Sequence, residues 1–290
     1  MTTLQVAGPA LQAKRLAHAD QQKLQANGDV RAFFTSANGL EDKAALRSLL
    51  NDCEAVWVYG GDGTLHAVIN ALGNNRPVIT LVACGSGNDT AAGLGLADND
   101  WRWLPQSTVV LSAIAEIDGI RFINSAGIGL SPQVNNNIPR VVKRLLQKLG
   151  IAHLSYAIGL LVWLFNQRSV QFNGKAMLAV TWHIGPRFGG GFYLAEDTDR
   201  QRQSVTQVAV EKISRWQQCR LICAVLRRRY PRQWLTEQVQ EQEQPLLSDA
   251  TMVEMDGETY HLSPKHLRIL PQPARFRVPI HSQNNDRTEQ

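Results

Sequence analysis

Two glycine-rich turns hold the residue types best suited to chemistry in this 290-residue chain: Gly60-Gly61-Asp62-Gly63-Thr64 and Gly85-Ser86-Gly87-Asn88-Asp89. Each follows a short apolar run that reads as a buried strand. Glycine at a strand's carboxyl end lets the backbone approach a ligand closely. The N–H groups of the turn and of the helix behind it can then hold phosphate oxygens. An aspartate in such a loop repels a bare anion. It suits a site where a divalent cation lies between carboxylate and phosphate, or where the carboxylate takes a proton from an attacking hydroxyl. The plainer alternative is a pair of tight turns closing strands, in which Asp and Asn favour the geometry. Two such loops on adjacent strands of one sheet favour the phosphate site. Other nucleotide loops are excluded. No G-x-x-x-x-G-K-[ST] occurs, and Thr90 stands where a dinucleotide fingerprint starting at Gly85 needs its third glycine.

Three further constellations have plain readings beside functional ones. Asp256-Gly257-Glu258 reads, taken alone, as a hairpin turn. The run from Leu226 to Trp234, with Arg227, Arg228, Arg229 and Arg232, is either a solvated helix end or a membrane-facing patch. In the second case the arginines meet anionic headgroups and Trp234 sits at the interface. No nucleic-acid motif stands behind the run, so no nucleic-acid partner is expected. Cys53, Cys84, Cys219 and Cys223 are too few for a disulfide scaffold and lack zinc-ribbon spacing. Cys219 and Cys223 share a helix face but have no partner histidines, and no metal site is assigned to them.

The elements that must position these loops follow from the hydrophobic pattern. Ala44 to Leu50 has apolar residues at helical spacing, with Glu41 and Asp42 near its start, where they suit the helix dipole. Ala55 to Tyr59 and Pro77 to Val82 are short apolar runs stopped by glycines, as expected of strands buried on both faces. Leu65 to Leu72 lies between them as a helix. Strand, glycine turn and helix in alternation predict a parallel α/β domain. After Glu116 the rhythm changes. Ile117 to Ile123 reads as one strand and Arg140 to Phe165 as a helical stretch. Ala176–Ile184, Phe192–Leu194, Val205–Val210, Met252–Met255 and Tyr260–Leu262 read as short strands, interrupted by a helix from Ser214 to Tyr230. The stretch from Leu154 to Phe165 is a core helix or one wall of an acyl-chain cleft.

Composition bounds the class. With 44% hydrophobic and 19% charged residues the chain is a folded globular protein, and its length predicts about two domains. Its longest apolar run, Ile158 to Phe165 with its flanks, falls short of the ~20 residues that span a bilayer. The N-terminus shows no basic start followed by an apolar run, so a cytoplasmic location is expected, with peripheral contact at the inner membrane surface as an option. A net charge of +5 suggests anionic partners without choosing among them.

The stretch VWVYGGDGTLHAVINAL, followed by LVACGSGNDTAAGLGL, resembles the diacylglycerol kinase catalytic domain family, in particular the small bacterial lipid kinases. FINSAGIG at Phe122 to Gly129, the triple glycine Gly189-Gly190-Gly191, VEMDGETY and LRILPQPARFRVP extend the likeness from about Ala55 to Ile280. The resemblance implies an α/β N-terminal nucleotide-binding domain with a parallel sheet over residues 1–116. It implies a β-rich, β-sandwich-like lipid-binding domain over 117–262, a segment 263–280 returning to the first domain, and a polar tail 281–290. It implies ATP and Mg²⁺, a lipid acceptor, and transfer of the γ-phosphoryl group to a lipid hydroxyl.

Site roles also come from the resemblance. Gly60, Gly61, Gly63 and Thr64 would cradle the ATP phosphates, and Asp62 would act through Mg²⁺ or by orienting the acceptor. Gly85, Ser86, Gly87, Asn88 and Asp89 would form the second nucleotide loop, with Ser86 where the family usually has threonine. Thr35 is matched to an early ATP-contacting threonine. Glu258 would be the general base on the lipid hydroxyl. The departures are specific. Ala7-Gly8-Pro9-Ala10 replaces the family's N-P-x-[SA]-G opening, Cys84 stands for proline and Thr90 for phenylalanine. No carboxylate falls at Arg202-Gln203-Ser204-Val205, where the family holds a metal, so no metal residue is assigned, although Asp197 and Asp199 lie near. Three functions therefore stay open: a lipid kinase, a degenerate member that binds nucleotide or lipid without turnover, or a soluble kinase acting on a polyol or nucleotide.

Overall fold

The computed structural model describes residues 2–36, 42–85, 88–96, 99–137, 169–188, 192–193, 195, 198–226 and 233–280. Ser86, Gly87, the stretch from Arg140 to Phe165, the triple glycine at 189–191, Asp197, Arg227 to Arg229 and the tail 281–290 lie outside the described residues. The chain divides into two compact units, one of residues 1–112 with 272–290 and one of residues 113–271.

Unit 1 is a six-stranded sheet in the order β2-β1-β3-β4-β19-β5. Its strands are β1 (Thr2–Ala7), β2 (Asp29–Phe34), β3 (Ala55–Gly60), β4 (Val78–Ala83), β19 (Ala274–Pro279) and β5 (Ser107–Ser112). All neighbours are parallel except β5, which runs antiparallel to β19 as an edge. Every residue of β3 is buried, because AVWVYG lies in the sheet's interior with helices packed against it, as its unbroken apolar run predicts. α1 (Leu11–Gln25) turns Ala13, Ala17, Asp20 and Leu24 inward at helical spacing, onto Trp57 and Tyr59. α2 (Lys43–Asn51) buries Leu46 and Leu50. α3 (Asp62–Ala71) begins at Asp62 rather than at Leu65, so Gly63 and Thr64 belong to its first turn. α4 (Asp89–Gly93) follows the second glycine turn.

Unit 2 is β-rich. Its larger sheet runs β14-β13-β10-β8-β16-β17, with β9 paired to β10 and every pair antiparallel. These are β8 (Ser125–Gly129), β9 (Val170–Phe172), β10 (Lys175–His183), β13 (Val205–Glu211), β14 (Leu235–Gln240), β16 (Val253–Met255) and β17 (Glu258–Tyr260). A four-stranded sheet, β15-β18-β6-β7, comprises β6 (Ala115–Ile117), β7 (Ile120–Phe122), β15 (Gln244–Pro245) and β18 (His266–Ile269). β11 (Arg187–Phe188) and β12 (Phe192–Tyr193) form a separate pair. The two larger sheets share one core, in which Ile117, Phe122 and Leu267 meet Ile128, Trp182 and Met255. α5 (Leu130–Asn137) and α6 (Arg215–Leu226) complete the unit.

Three expectations change. Ile117 to Ile123 is not one strand but the hairpin β6–β7, because Asp118 (φ +48°) and Gly119 (φ +84°) make a two-residue turn. The Asp-Gly pair was the signal for it. The segment 263–271 stays in unit 2, since β18 pairs with β6 through Leu267 and Ile117, and the chain joins unit 1 only from residue 272. The first boundary falls at residue 112 rather than 116 because Ala115 and Glu116 pair with β7 and β18. Among the described residues no helix is long and apolar enough to cross a membrane.

Candidate active site

In a parallel sheet, ligand-binding loops lie at the carboxyl ends of the strands, where the chain's winding direction reverses. In unit 1 that reversal falls between β1 and β3, which neighbour each other while β2 and β4 continue outward. The turns after β1, β3 and β4 all open at this edge. Gly8, after β1, donates its N–H to the carbonyl of Tyr59 at 2.8 Å. A Cβ on Gly8 would lie 2.5 Å from Thr64 Oγ1, and one on Gly60 would lie 2.3 Å from the same atom. Thr64 thus packs its hydroxyl where two glycines leave room. Gly8 was hidden in the sequence because the opening turn departs from the family pattern, although Gly8-Pro9 behind an apolar run is a turn signal. Thr35, at the end of β2, is buried and donates both its N–H and its hydroxyl to Ala7 O, at 2.9 and 3.4 Å.

The two glycine turns touch through backbone. A Cβ on Gly61 would lie 2.8 Å from Gly85 Cα, and one on Gly85 would lie 2.4 Å from Gly61 Cα. Neither contact can yield by moving a side chain. Asn88 (φ +52°) closes the second turn, accepting from Gly85 N–H and donating to Gly85 O, both at 2.9 Å. Asp62 then clamps one turn to the other. Its carboxylate accepts the N–H of Asp89 at 2.9 Å and that of Thr90 at 3.0 Å, the first amides of α4. Neither metal nor proton chemistry is needed to place an aspartate here. Cys84, beside Gly85, has its thiol pushed up to about 11 by burial and is not a ready thiolate at neutral pH.

Support for this edge comes from beneath. Arg102, on the turn Asp100–Trp103, donates twice to Asp20, at 2.8 and 3.1 Å, in a bidentate pair buried at both ends. Tyr59 donates to the same carboxylate at 3.2 Å, and burial holds its phenol well above the usual range. Gln5 bridges Tyr59 to α1 through Ala17 O.

In unit 2, Glu258 is exposed at the start of β17, directly across the hairpin from Met255. Asp256 (φ +50°) and Gly257 (φ +91°) form the turn before it. Asp256 is buried, and its carboxylate gathers the N–H groups of Ile123, Asn124 and Ser125, at 3.0, 2.9 and 3.1 Å. Glu254, also buried, accepts from Ser131 Oγ on α5 and from Gly257 N–H, which ties the hairpin tip to the helix. The peptide that Asp256 holds by its amides is held from its other side by Arg200. This buried guanidinium donates to Ile123 O at 2.9 Å and to Asn124 Oδ1, in space left by Gly185. Tyr260, on the same strand as Glu258, is raised above the usual phenol range by burial and by the carboxylates of Glu258, Asp256 and Glu254. Asp256 was singled out only as a turn residue and Glu254 not at all. Ile123 to Ser125 and Ser131, which they hold, lie more than 120 residues away in sequence, and no spacing rule reaches that far.

Arg202, where a metal-holding carboxylate was sought, is exposed and pairs with Glu241 at 3.4 Å. Asp199 accepts from Gln201 N–H in its own turn. Among the described residues no group of three or more His, Cys, Asp or Glu side chains is placed to hold a metal ion.

Glycine turns at the carboxyl edge of a doubly wound sheet, touching beside the point of reversal, are an arrangement that phosphate-binding α/β domains use. Residues 5–121 match the diacylglycerol kinase catalytic domain. The chain is 30% identical over 145 residues to a diacylglycerol kinase of Bacillus subtilis (strain 168), which is 47% of each protein. It is 32% identical over 94 residues, 30% of each, to a protein of Chromohalobacter salexigens described as a probable lipid kinase YegS-like. The matched part thus spans about half the length of the first curated relative and under a third of the second. A solved structure of a diacylglycerol kinase from Bacillus anthracis str. Sterne shares the fold, with a TM-score of 0.69 at 17% identity over 95% of this chain and 96% of that one. The likeness to the diacylglycerol kinase catalytic domain family is thus carried by residues 5–121 and by the shared fold.

Proposed function

We propose that the protein is an ATP-dependent lipid kinase, transferring the γ-phosphoryl group of ATP to a lipid hydroxyl. The observation that carries this reading is the backbone contact of the Gly61 and Gly85 turns, joined by the Asp62 clamp. Loops locked in this way would not have to organise when a phosphate arrives, the condition under which fixed dipoles stabilise transferring charge well. Gly60, Gly61, Gly63, Thr64, Gly85 and Asn88 would line the phosphates, with Ser86 and Gly87 completing the second loop. Thr35 would stand beside them through Ala7.

Mg²⁺ suits this site as part of the nucleotide complex, since magnesium is commonly held by one or two carboxylates together with substrate phosphates. Asp62, in the first turn, would be the carboxylate that holds it; the ion would neutralise charge between the phosphates. Glu258, held by Asp256 and Glu254 at a fixed hairpin tip, would take the proton from the lipid hydroxyl. The protein's own contribution is then positioning: amides for the phosphoryl oxygens and an exposed carboxylate for the proton.

The test is ATP-dependent transfer of labelled phosphate to a total lipid extract with Mg²⁺, comparing wild type, Asp62→Asn and Glu258→Gln. A labelled lipid from wild type and none from Asp62→Asn is the expected outcome. Glu258→Gln should lower kcat by about 100-fold or more with ATP affinity kept. Saturable ATP binding with no product from wild type would favour the degenerate binder, for which the absent metal carboxylate near Arg202 is the specific ground.

A further inference from the structure

α6 divides into two faces. At roughly 100° per residue, Gln218 and Leu221 turn one way while Trp216, Cys219, Arg220 and Cys223 turn the other. The first face is anchored: Gln218 is buried and donates to Ile213 O at 2.8 Å, and Leu221 packs on Leu178, Ala179 and Val210. The second face is exposed, Trp216 by 73%. The helix start is fixed by a capping box, in which Ser214 Oγ accepts the N–H of Gln217 and Gln217 Oε1 accepts the N–H of Ser214, at 3.4 and 2.9 Å. Trp216 therefore stands on a held turn and not on a fraying end. Arg215 and Lys212 are exposed beside it, and the guanidinium of Arg220 lies 5.7 Å from the Trp234 ring centre. From Lys212 to Thr236 the sequence contains no Asp or Glu.

We propose that the outer face of α6, formed by Trp216 and Arg220 with the exposed Arg215 and Lys212 at its edge, docks the protein on an anionic lipid bilayer. Its charge is of one sign and complements acidic headgroups, and a projecting indole is the side chain that settles at a bilayer interface. A second copy of the same face would bring cations onto cations, which disfavours self-association there. A single-stranded nucleic acid would satisfy the charge and could stack a base on the indole, so it is an outcome of the test below; the lipid-kinase reading is what favours the bilayer. The inference deepens the lipid-kinase reading and rests on it for the source of the surface, since a lipid acceptor is embedded in a bilayer.

The experiment is flotation without ATP on phosphatidylcholine vesicles with and without phosphatidylglycerol, with brominated lipid as a quencher of tryptophan fluorescence. Wild type should bind the phosphatidylglycerol vesicles and not the neutral ones, more weakly at high salt. Each basic residue near such a surface is worth about fivefold in partitioning, so R215E/R220E should bind at least about 25-fold more weakly. Trp216→Phe should remove most of the quenching. Both variants should melt with wild type, because the changed side chains are exposed. Unchanged vesicle binding by R215E/R220E, or unchanged quenching in Trp216→Phe, overturns the proposal. So does wild-type binding to single-stranded RNA without vesicle binding, or a dimer that Trp216→Ser dissociates. Turnover separates the two readings. If R215E/R220E phosphorylates a short-chain soluble lipid normally but a vesicle-embedded one poorly, both stand. Vesicle binding as expected with no turnover of either lipid by wild type leaves the surface in place and removes the kinase.

Discussion

The glycine turns of unit 1 and the Asp-Gly hairpin of unit 2 solve the same problem by different means. Each must bring distant segments of chain together and hold them without ligand. In unit 1 the approach is made by leaving side chains out, since Gly61 and Gly85 meet Cα to backbone, and one carboxylate then pins α4 through two amides. In unit 2 the approach is made by side chains put in. Asp256 gathers three amides from residues 123–125, Glu254 holds Ser131 and Gly257, and Asp118 holds the amides of Lys265 and His266 in the same manner. A contact made of backbone has no room to adapt. One made of carboxylates can be weakened by degrees, which gives the two regions different sensitivities to substitution.

The sharpest way to break the comparison is Gly85→Ala. Its methyl would lie 2.4 Å from Gly61 Cα, so the loops must part; the expected cost is about 3 kcal/mol with loss of ATP binding. A calorimetric melt and an ATP titration check both, and a wild-type-like protein would mean the turns do not touch. Asp256→Asn comes next. It leaves one acceptor oxygen for three buried amides and should lose about 2 to 3 kcal/mol in chemical denaturation, with ATP affinity unchanged.

A pH change tests unit 2 by another route. His183 is buried on β10, 2.8 Å from Thr181 Oγ1, and burial pushes its pKa from 6.5 down to about 3. Between those values the unfolded chain takes up a proton that the folded chain refuses. Stability is therefore fully present above pH 6.5 and is lost as pH falls toward 3. Between pH 7 and pH 5 the loss should be about 2 kcal/mol, and His183→Gln should flatten it. A slope that survives the substitution would place the sensitivity elsewhere.

The smallest effect expected is that of Gly257→Ala. An added Cβ at Gly257 meets nothing within 4 Å, and only the φ of +91° is strained, so about 1 kcal/mol should be lost. A loss as large as that of Gly85→Ala would erase the distinction between crowding and conformation on which the comparison rests.

Much of this was legible in the residues. Ala55–Tyr59, an unbroken apolar run, and Pro77–Val82, a largely apolar one, announced buried parallel strands, and both glycine turns stood where they should at the strand ends. Asp256-Gly257 announced its hairpin as well. Asp118-Gly119 carried the same signal and was read through, because the apolar residues on either side made one long strand look continuous. Asp62 was visible as chemically odd, and two explanations were open for it, a cation or a proton. The third, a clamp on α4, needed the partner amides of Asp89 and Thr90, which lie 27 and 28 residues away.

Local pattern determined what each segment is, since strand period, turn chemistry and capping act over a few residues and are written in them. The order β2-β1-β3-β4, with Gly8, Thr64, Gly61 and Gly85 at one edge, was decided by tertiary structure alone, as were the amides captured by Asp62, Asp256 and Glu254. Hydrogen bonds and close contacts depend on distance in space, and the chain sets that distance only after its strands have paired and its apolar faces are buried.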